Sequence, residues 1–236
     1  MQRSTLAVSL SLGLMVACQA SPSPSAEQDL TLVFLKTGPR TDLAGEEQQK
    51  VFAGHFANMN RLAREGHLLL AGPFGAKRSD ATLRGVFVFG TGDRAEAERL
   101  AATDPGIQAG VFVPEFHALR SAAPLRAMIA AELAAEDAMK AAGKTPKPGE
   151  FGRPYVLLTA EDGDAAQAAL HGSAVVLLRG RLDGRGAWIV LDATDLAAAE
   201  ALLAPLAAKL GSHHLDEWFA TKRVAELRSM LDRESK

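Results

Sequence analysis

The strongest constraint in this sequence is the order in which strand and helix patterns alternate along its first half. Apolar runs of strand length and amphipathic segments of helix length follow the order β-α-β-β-α-β, which is that of the ferredoxin-like plait. The strand patterns lie at 30–35, 67–71, 83–89 and 110–116, and the helix patterns at 45–65 and 94–102. The helices of a plait cover only one face of its sheet, so the apolar residues on the other face must be buried elsewhere.

The second half of the chain contains a weaker version of the same pattern, which can supply a partner for that uncovered face. Strand patterns recur at 154–158, 174–178, 185–190 and 213–218, and helix patterns at 164–170 and 195–208. In this alignment Trp188 corresponds to Phe87. An internal duplication explains the recurrence, and convergent strand patterning is the alternative. The predicted fold class is α+β, with two ferredoxin-like βαββαβ plaits in one chain.

The amino-terminal residues have the pattern of an export signal. Arg3 precedes an apolar run at 6–17 that is too short to span a bilayer as a mature helix. The run ends in Leu-Met-Val-Ala-Cys at 14–18, which resembles the lipobox of bacterial lipoproteins, where the cysteine (Cys18) becomes the lipidated first residue. An ordinary secretory peptide cleaved near Ala20 is the alternative. By analogy with such lipoproteins, Gln19 favours anchoring in the outer membrane, facing the periplasm.

The same patterns divide the chain into five segments. These are a signal peptide and lipobox (1–18), a flexible tether (19–28), a first domain with the candidate site (29–120), a helical linker (121–150), and a degenerate second domain with a C-terminal helix (151–236). The formal net charge of −2 argues against a nucleic-acid partner, which would require a clustered basic face. The single cysteine excludes an internal disulfide.

Three motifs in the first domain carry a family resemblance. The first helix pattern contains Gly-His-Phe-Ala-Asn at 54–58, the second strand reads Gly-His-Leu-Leu-Leu-Ala-Gly-Pro at 66–73, and Asp-Pro at 104–105 precedes the last strand. Together they resemble the YCII-related domain over about residues 30–119. The resemblance implies a barrel of the dimeric α+β type, so the two plaits of this chain are expected to form an intrachain pseudo-dimeric α+β barrel. It also implies that the matching histidine and aspartate form a pair beside a pocket.

Carried over to this sequence, the resemblance makes His55 a general acid/base and Asp104 the acceptor that orients its imidazole. Histidine suits this role because it titrates nearest neutral pH. The alternatives are a structural histidine on a helix border and an Asp-Pro turn whose aspartate accepts local backbone donors. Arg84 is a candidate for binding an anionic substrate, together with Lys77 and Arg78, whereas a solvated loop is the structural alternative.

No cofactor or metal is expected from the sequence. The sequence contains no Gly-x-Gly-x-x-Gly or Walker loop. His213 and His214 are adjacent on a strand pattern and would point to opposite faces of the sheet, which is unsuitable for one metal ion.

Two functions are compatible with these features. One is a cofactor-independent lyase or isomerase of the cell envelope, in which His55 and Asp104 transfer a proton on a small substrate. The other is a non-catalytic, lipid-anchored protein that binds a small ligand or acts as a scaffold. The expected partners are a small molecule and the membrane, through the lipid anchor, and the protein would be a monomer or a homodimer.

Overall fold

The computed structural model describes residues 26–144, 150, 152–183 and 186–234, with the backbone alone over 231–234. The predicted signal peptide, Cys18 and most of the predicted tether lie outside the described residues, as does much of the predicted linker after 144. Among the helices that are described, none has the length and apolar character needed to cross a membrane.

The described residues form eight strands and eight α-helices. The strands are β1 (Gln28–Thr37), β2 (Leu68–Pro73), β3 (Leu83–Phe89), β4 (Phe112–Ser121), β5 (Gly152–Ala160), β6 (Val176–Leu182), β7 (Gly186–Leu191) and β8 (His213–Thr221). The helices are α1 (Gly45–Arg64), α2 (Arg94–Ala101), α3 (Pro105–Gln108), α4 (Leu125–Ala141), α5 (Gly163–Ala169), α6 (Leu196–Leu203), α7 (Ala207–Leu210) and α8 (Leu227–Glu234). Two 3₁₀ turns, Ala204–Leu206 and Lys222–Glu226, complete the chain.

All eight strands belong to one antiparallel sheet in the order β2-β3-β1-β4-β6-β7-β5-β8. The first four strands and the last four strands therefore have the same internal order, which is that of a plait. The halves join where Leu119 of β4 pairs with Leu182 of β6. At the other edge, Phe74 and Trp218 form an antiparallel bridge between the end of β2 and β8. The sheet is thus a nearly closed barrel, and the predicted α+β fold is confirmed.

The strand register corrects the alignment of the two halves by one residue. β2 and β6 each have a β-bulge near their first residue. Phe89 pairs with Leu68 at the start of β2, and Leu191 pairs with Val176 at the start of β6, so Phe89 and Leu191 are equivalent. Phe87 packs on the helix side of the sheet, whereas Trp188 belongs to the core cluster between the halves. The sequence alignment of Trp188 with Phe87 was wrong because a shift of one residue exchanges the two faces of a strand.

The inner face of the barrel forms the largest apolar core. It combines side chains of both halves, and its largest fully buried members are Tyr155, Trp188 and Trp218. Each half also has a smaller core between its own helices and the outer face of the sheet. The bare sheet face of each plait is therefore buried by the other plait, within one chain.

The segments that follow β4 and β8 contribute to the inner core at the same end of the barrel. Leu125 and Met128 of α4 are fully buried in it, as are Val224 and Leu227 from the equivalent segment after β8. The nearly buried Glu132 lies 2.8 Å from Arg223 Nε, which links α4 to the 3₁₀ turn after β8, and burial raises the pKa of this carboxyl. The predicted helical linker thus serves as part of the barrel's core.

Polar side chains join the two halves where β4 meets β6. His117 contacts Asp183 through Nδ1 at 2.6 Å and Glu115 through Nε2 at 2.9 Å. Asp183 also accepts a hydrogen bond from the amide of Ala118. Lys36 lies 2.6 Å from Glu115, and this contact holds the pKa of the Glu115 carboxyl below its ordinary value. The seam is therefore fixed by charged groups outside the apolar core.

Glycines allow the strands of the two halves to approach closely at both seams. A Cβ atom on Gly72 would lie 2.0 Å from the carbonyl oxygen of Phe219, and the indole Nε1 of Trp218 already donates a hydrogen bond to the Gly72 carbonyl at 3.1 Å. At the equivalent position in β6, a Cβ atom on Gly180 would lie 2.4 Å from Leu119 Cδ1.

We expect Gly72→Ala to lower the free energy of unfolding by about 1–3 kcal/mol, because the methyl group would displace the β8 backbone. Gly180→Ala should cost less, since its obstacle is the end of a flexible side chain. Gly186→Ala is the matched control, because its Cβ would meet no atom closer than 3.3 Å. Urea unfolding of the three variants measures the difference, and equal losses would contradict this account of barrel closure.

Candidate functional site

His55 lies in the middle of α1, on the face that packs against the sheet. This face forms because His55, Asn58 and Leu62 are buried at spacings of three and four residues. The charges at the ends of α1 complement the helix dipole, with Glu46 and Glu47 in the first turn and Arg61 and Arg64 in the last. The helix thereby holds His55 against the strands with only 7 % of its surface exposed.

Aromatic rings surround the imidazole of His55. Phe87 is stacked on it with 5.8 Å between ring centroids and an angle of 20° between planes. Phe112, Phe56 and Phe52 contact it at centroid distances of 5.2, 5.4 and 6.4 Å. These contacts fix the ring's orientation and exclude water from most of its surface.

Asp104 is completely buried and caps the amino terminus of α3, where Pro105 is the first helical residue. Its Oδ1 atom accepts hydrogen bonds from the amides of Gly106 at 2.8 Å and Ile107 at 3.3 Å. Its Oδ2 atom lies 2.8 Å from Nδ1 of His55. Because an ionised carboxylate only accepts hydrogen bonds, Nδ1 is the donor, and Nε2 is then the nitrogen that can accept a proton.

Two glycines permit this approach of α1, α3 and β4. A Cβ atom on Gly54 would lie 3.0 Å from Pro105 Cγ, and one on Gly106 would lie 2.7 Å from the ring of Phe112. The sequence Gly-His at 54–55 therefore has a physical reason, because the glycine lets the helix come close enough for the histidine to reach Asp104.

A cavity of about 180 Å³ opens beside His55, between α1 and the ends of β1, β2 and β3. Its lining is mainly apolar and includes Phe52, Phe56, Met59, Phe87 and Phe112. Arg84 also lines it and is exposed to solvent. Within the described part of the chain, the guanidinium group of Arg84 has no ion pair or side-chain hydrogen bond. The structure thus brings His55, Asp104 and Arg84 to one place.

The sequence contains a match to a known family over the part of the chain that builds this site. Residues 24–114 match the YCII-related domain. The resemblance seen in the sequence motifs is confirmed, and the match includes His55, Arg84 and Asp104. One solved structure, titled "Crystal structure study of anthrone oxidase-like protein", is similar at 9% identity over 82% of this chain and 92% of that chain. Its TM-score of 0.37 is too low to support an argument. No curated protein matches the sequence.

The other two cations proposed for substrate binding, Lys77 and Arg78, are engaged in other contacts. Arg78 donates hydrogen bonds to the carbonyl groups of Gly75 and Ala81, which organise the loop after β2. Lys77 contacts Glu217 of β8 through both its amide and its ammonium group. Their contacts are therefore within the loop and at the seam, and Arg84 is the one of the three that lines the His55 cavity.

Candidate metal ligands do not converge in the residues that the structure describes, where no group of three or more His, Cys, Asp or Glu side chains could hold an ion. His213 Nδ1 contacts the carbonyl of Gly211 at 2.9 Å, and His214 is exposed.

Asn58 is a member of the site that sequence analysis did not identify. Its side-chain oxygen accepts hydrogen bonds from Arg61 at 2.8 Å and from Thr103 at 3.1 Å, which ties α1 to the residue preceding Asp104. Its Nδ2 atom is buried without a hydrogen-bond partner among the described residues. Its position three residues after His55, on the same helix face, was the signal that could have indicated it.

We expect Asp104→Asn to lower the free energy of unfolding by about 1–3 kcal/mol, because the hydrogen bond between His55 and a charged oxygen is lost in a buried place. Asp93→Asn is a matched control. Asp93 caps α2 through the amides of Ala95 and Glu96, as Asp104 caps α3, but it contacts no histidine. Since asparagine and aspartate are similar N-caps, the control should cost little. If urea unfolding showed equal losses of unfolding free energy in both variants, the contact with His55 would not stabilise the buried Asp104.

Proposed function

We propose that the YCII-related domain binds a small organic molecule beside His55 and transfers a proton on it, as a lyase or isomerase that needs no cofactor. The observation that carries this proposal is the hydrogen bond between Asp104 and Nδ1 of His55, a residue that lines an apolar cavity. With Nδ1 engaged, Nε2 is the ring nitrogen available to accept a proton. A buried carboxylate behind a histidine stabilises the imidazolium that forms when the ring accepts a proton.

The lining of the cavity suggests the kind of substrate. Arg84 is exposed and without an ion pair among the described residues, so it can bind a carboxylate or another anionic group. The volume of about 180 Å³ lies below the usual range of 300–1,000 Å³ for ligand pockets. The substrate is therefore a small molecule with one anionic end and a carbonyl group near its reacting carbon.

The proposed reaction begins with transfer of a proton from the carbon next to the carbonyl to Nε2 of His55. The electron pair of the broken C–H bond moves towards the carbonyl oxygen and forms an enolate. The imidazolium then returns the proton to a neighbouring atom, which gives an isomer, or protonates a departing group, which gives an elimination product. Asp104 stays ionised and stabilises the imidazolium, while the surrounding phenylalanine rings keep water away.

A binding protein without chemistry is the second candidate. The observation that favours it is the scarcity of polar groups around the cavity, where His55 and Arg84 are the charged or titratable side chains in the lining. A site of this composition can retain a small anion without offering a second acid or base.

Exchange of carbon-bound protons for deuterium separates the two candidates. Pyruvate and 2-oxobutyrate, each with a carboxylate and an acidic C–H bond, would be incubated with the protein in D₂O and followed by proton NMR. We expect His55→Gln to slow exchange by about 10²–10⁴-fold, the range typical of a lost general base. Arg84→Gln should raise KM with little change in kcat.

His171→Gln is the matched control for this experiment, because His171 is exposed and distant in sequence from the YCII-related domain. Its exchange rate should equal that of the unaltered protein. Saturable binding of the two oxo acids without exchange would favour the binding protein. Exchange that survives in His55→Gln would contradict the assignment of His55 as the base.

We further propose that the mature protein is an envelope lipoprotein anchored through Cys18. The support is the sequence Leu-Met-Val-Ala-Cys at 14–18 after an apolar run. Expressed in a bacterium, the protein should partition into the detergent phase, and Cys18→Ser should abolish this partition. Mass spectrometry of the mature amino terminus is the decisive measurement, because an unmodified terminus beyond Cys18 would contradict the anchor.

A further inference from the structure

A larger cavity lies in the second half of the chain, away from His55. Its volume is about 420 Å³, and it is bounded by the end of β4, the loop after α5, β6, and α8. The helix that covers the first half's sheet, α1, has 20 residues, whereas its counterpart α5 has 7. The shortened helix leaves this part of the sheet less covered, and the cavity lies beside it.

Four arginines line this cavity, and two of them are neutralised by carboxylates. Arg120 lies 3.4 Å from Glu27 and 3.3 Å from Asp29. Arg181 forms an ion pair with Asp164 of α5. These two arginines contribute little net positive charge to the cavity.

The other two arginines, Arg179 and Arg228, have no carboxylate partner within the described residues. The half-buried guanidinium of Arg179 donates hydrogen bonds to the carbonyl oxygens of Gln167 and Leu170. Burial, followed by the nearby charge of Arg228, lowers the pKa of Arg179. Arg228 is exposed at the rim, on α8. Two like charges therefore face one cavity, and an anion between them would relieve their repulsion.

The fold itself does not require an arginine at this position. When β2 and β6 are aligned at their bulges, Arg179 of β6 corresponds to Ala71 of β2. Ala71 packs against the core beneath α1. The remaining lining includes Ala122, Val176, Leu177 and Leu178, which offer apolar surface next to the charges. The volume falls in the 300–1,000 Å³ range of small-molecule sites.

We propose that this cavity binds an organic anion, with its phosphate or carboxylate group between Arg179 and Arg228 and its apolar part against β6 and the end of β4. The ligand is larger than the substrate of the His55 cavity and binds independently of it. This site is assigned from the cavity and its arginines alone, so it does not depend on the proton-transfer reaction.

Isothermal titration calorimetry of the full mature chain at low ionic strength tests this site with phenyl phosphate, benzoate and inorganic phosphate as probes. We expect saturable one-to-one binding, tighter for phenyl phosphate than for inorganic phosphate because the lining is partly apolar. Comparison of phenyl phosphate with benzoate distinguishes a phosphate from a carboxylate site. Absence of saturable binding by all three probes would overturn the proposal.

Arg228→Gln is the informative variant, because Arg228 is exposed and its removal leaves the core intact. Its dissociation constant should be at least about tenfold higher than that of the unaltered protein, and Arg228→Lys should recover part of the loss. Arg99→Gln is the matched control, since Arg99 is an exposed arginine of α2 and the change in net charge is the same. Equal weakening by Arg228→Gln and Arg99→Gln would overturn the proposal.

A further variant tests whether the probes bind in the His55 cavity instead. Arg84→Gln should leave the dissociation constant of phenyl phosphate unchanged. Loss of binding in Arg84→Gln with retention in Arg228→Gln would place the anion beside His55 and overturn this assignment.

Discussion

The structure depends on the burial of one sheet face that neither half can cover with its own helices. Each group of four strands places its helices on the outer face, so the inner face is buried only when the other half closes over it. Tyr155, Trp188 and Trp218 fill the resulting interior, and burying such aromatic side chains is among the largest apolar contributions that single residues make. Closure brings Gly72 against β8 and Gly180 against β4, where a larger residue would separate the strands. The two seams therefore depend on glycines, because only a residue without a side chain allows the strands to approach this closely.

Within this shared framework the two halves have become chemically different. The first half has a long helix, and that length places His55 opposite Asp104 in a small apolar cavity. The second half has a short helix, and beside it lies a larger cavity in which Arg179 and Arg228 have no carboxylate partner among the described side chains. The length of one helix thus determines which chemistry each half can present, because the sheet beneath it has the same strand order in both.

The sequence predicts the strands and helices of the first half well, since apolar residues alternate in β3 and recur every three or four residues in α1. The pairing of His55 with Asp104 is also predicted, but from the motifs of a family. Their spacing alone does not predict it, because 49 residues separate them. The one-residue error between Trp188 and Phe87 has a local cause. Matching the Arg-Gly pairs at 84–85 and 185–186 sets β3 and β7 one residue out of register, whereas the strand pairing aligns Trp188 with Val86.

Features that depend on contacts between distant elements could not be predicted. In the sequence, Arg179 is one of several charged residues on strands. Its proposed role in anion binding depends on its closeness to Arg228, which lies on a helix at the other end of the second half. Asn58 has no partner in its own vicinity other than Arg61, so its link to Thr103 becomes visible only when α1 lies beside the turn before α3.

The direction of β1 gives the molecule two distinct ends. The arginine-lined cavity includes Glu27, just before β1, and the His55 cavity includes Leu35 near its end, so the two openings are roughly 23–26 Å apart along the strand at ~3.3 Å per residue. The chain enters the barrel beside the first of these cavities. Any attachment of the amino terminus to a surface would consequently lie closer to the arginine-lined cavity than to the His55 cavity.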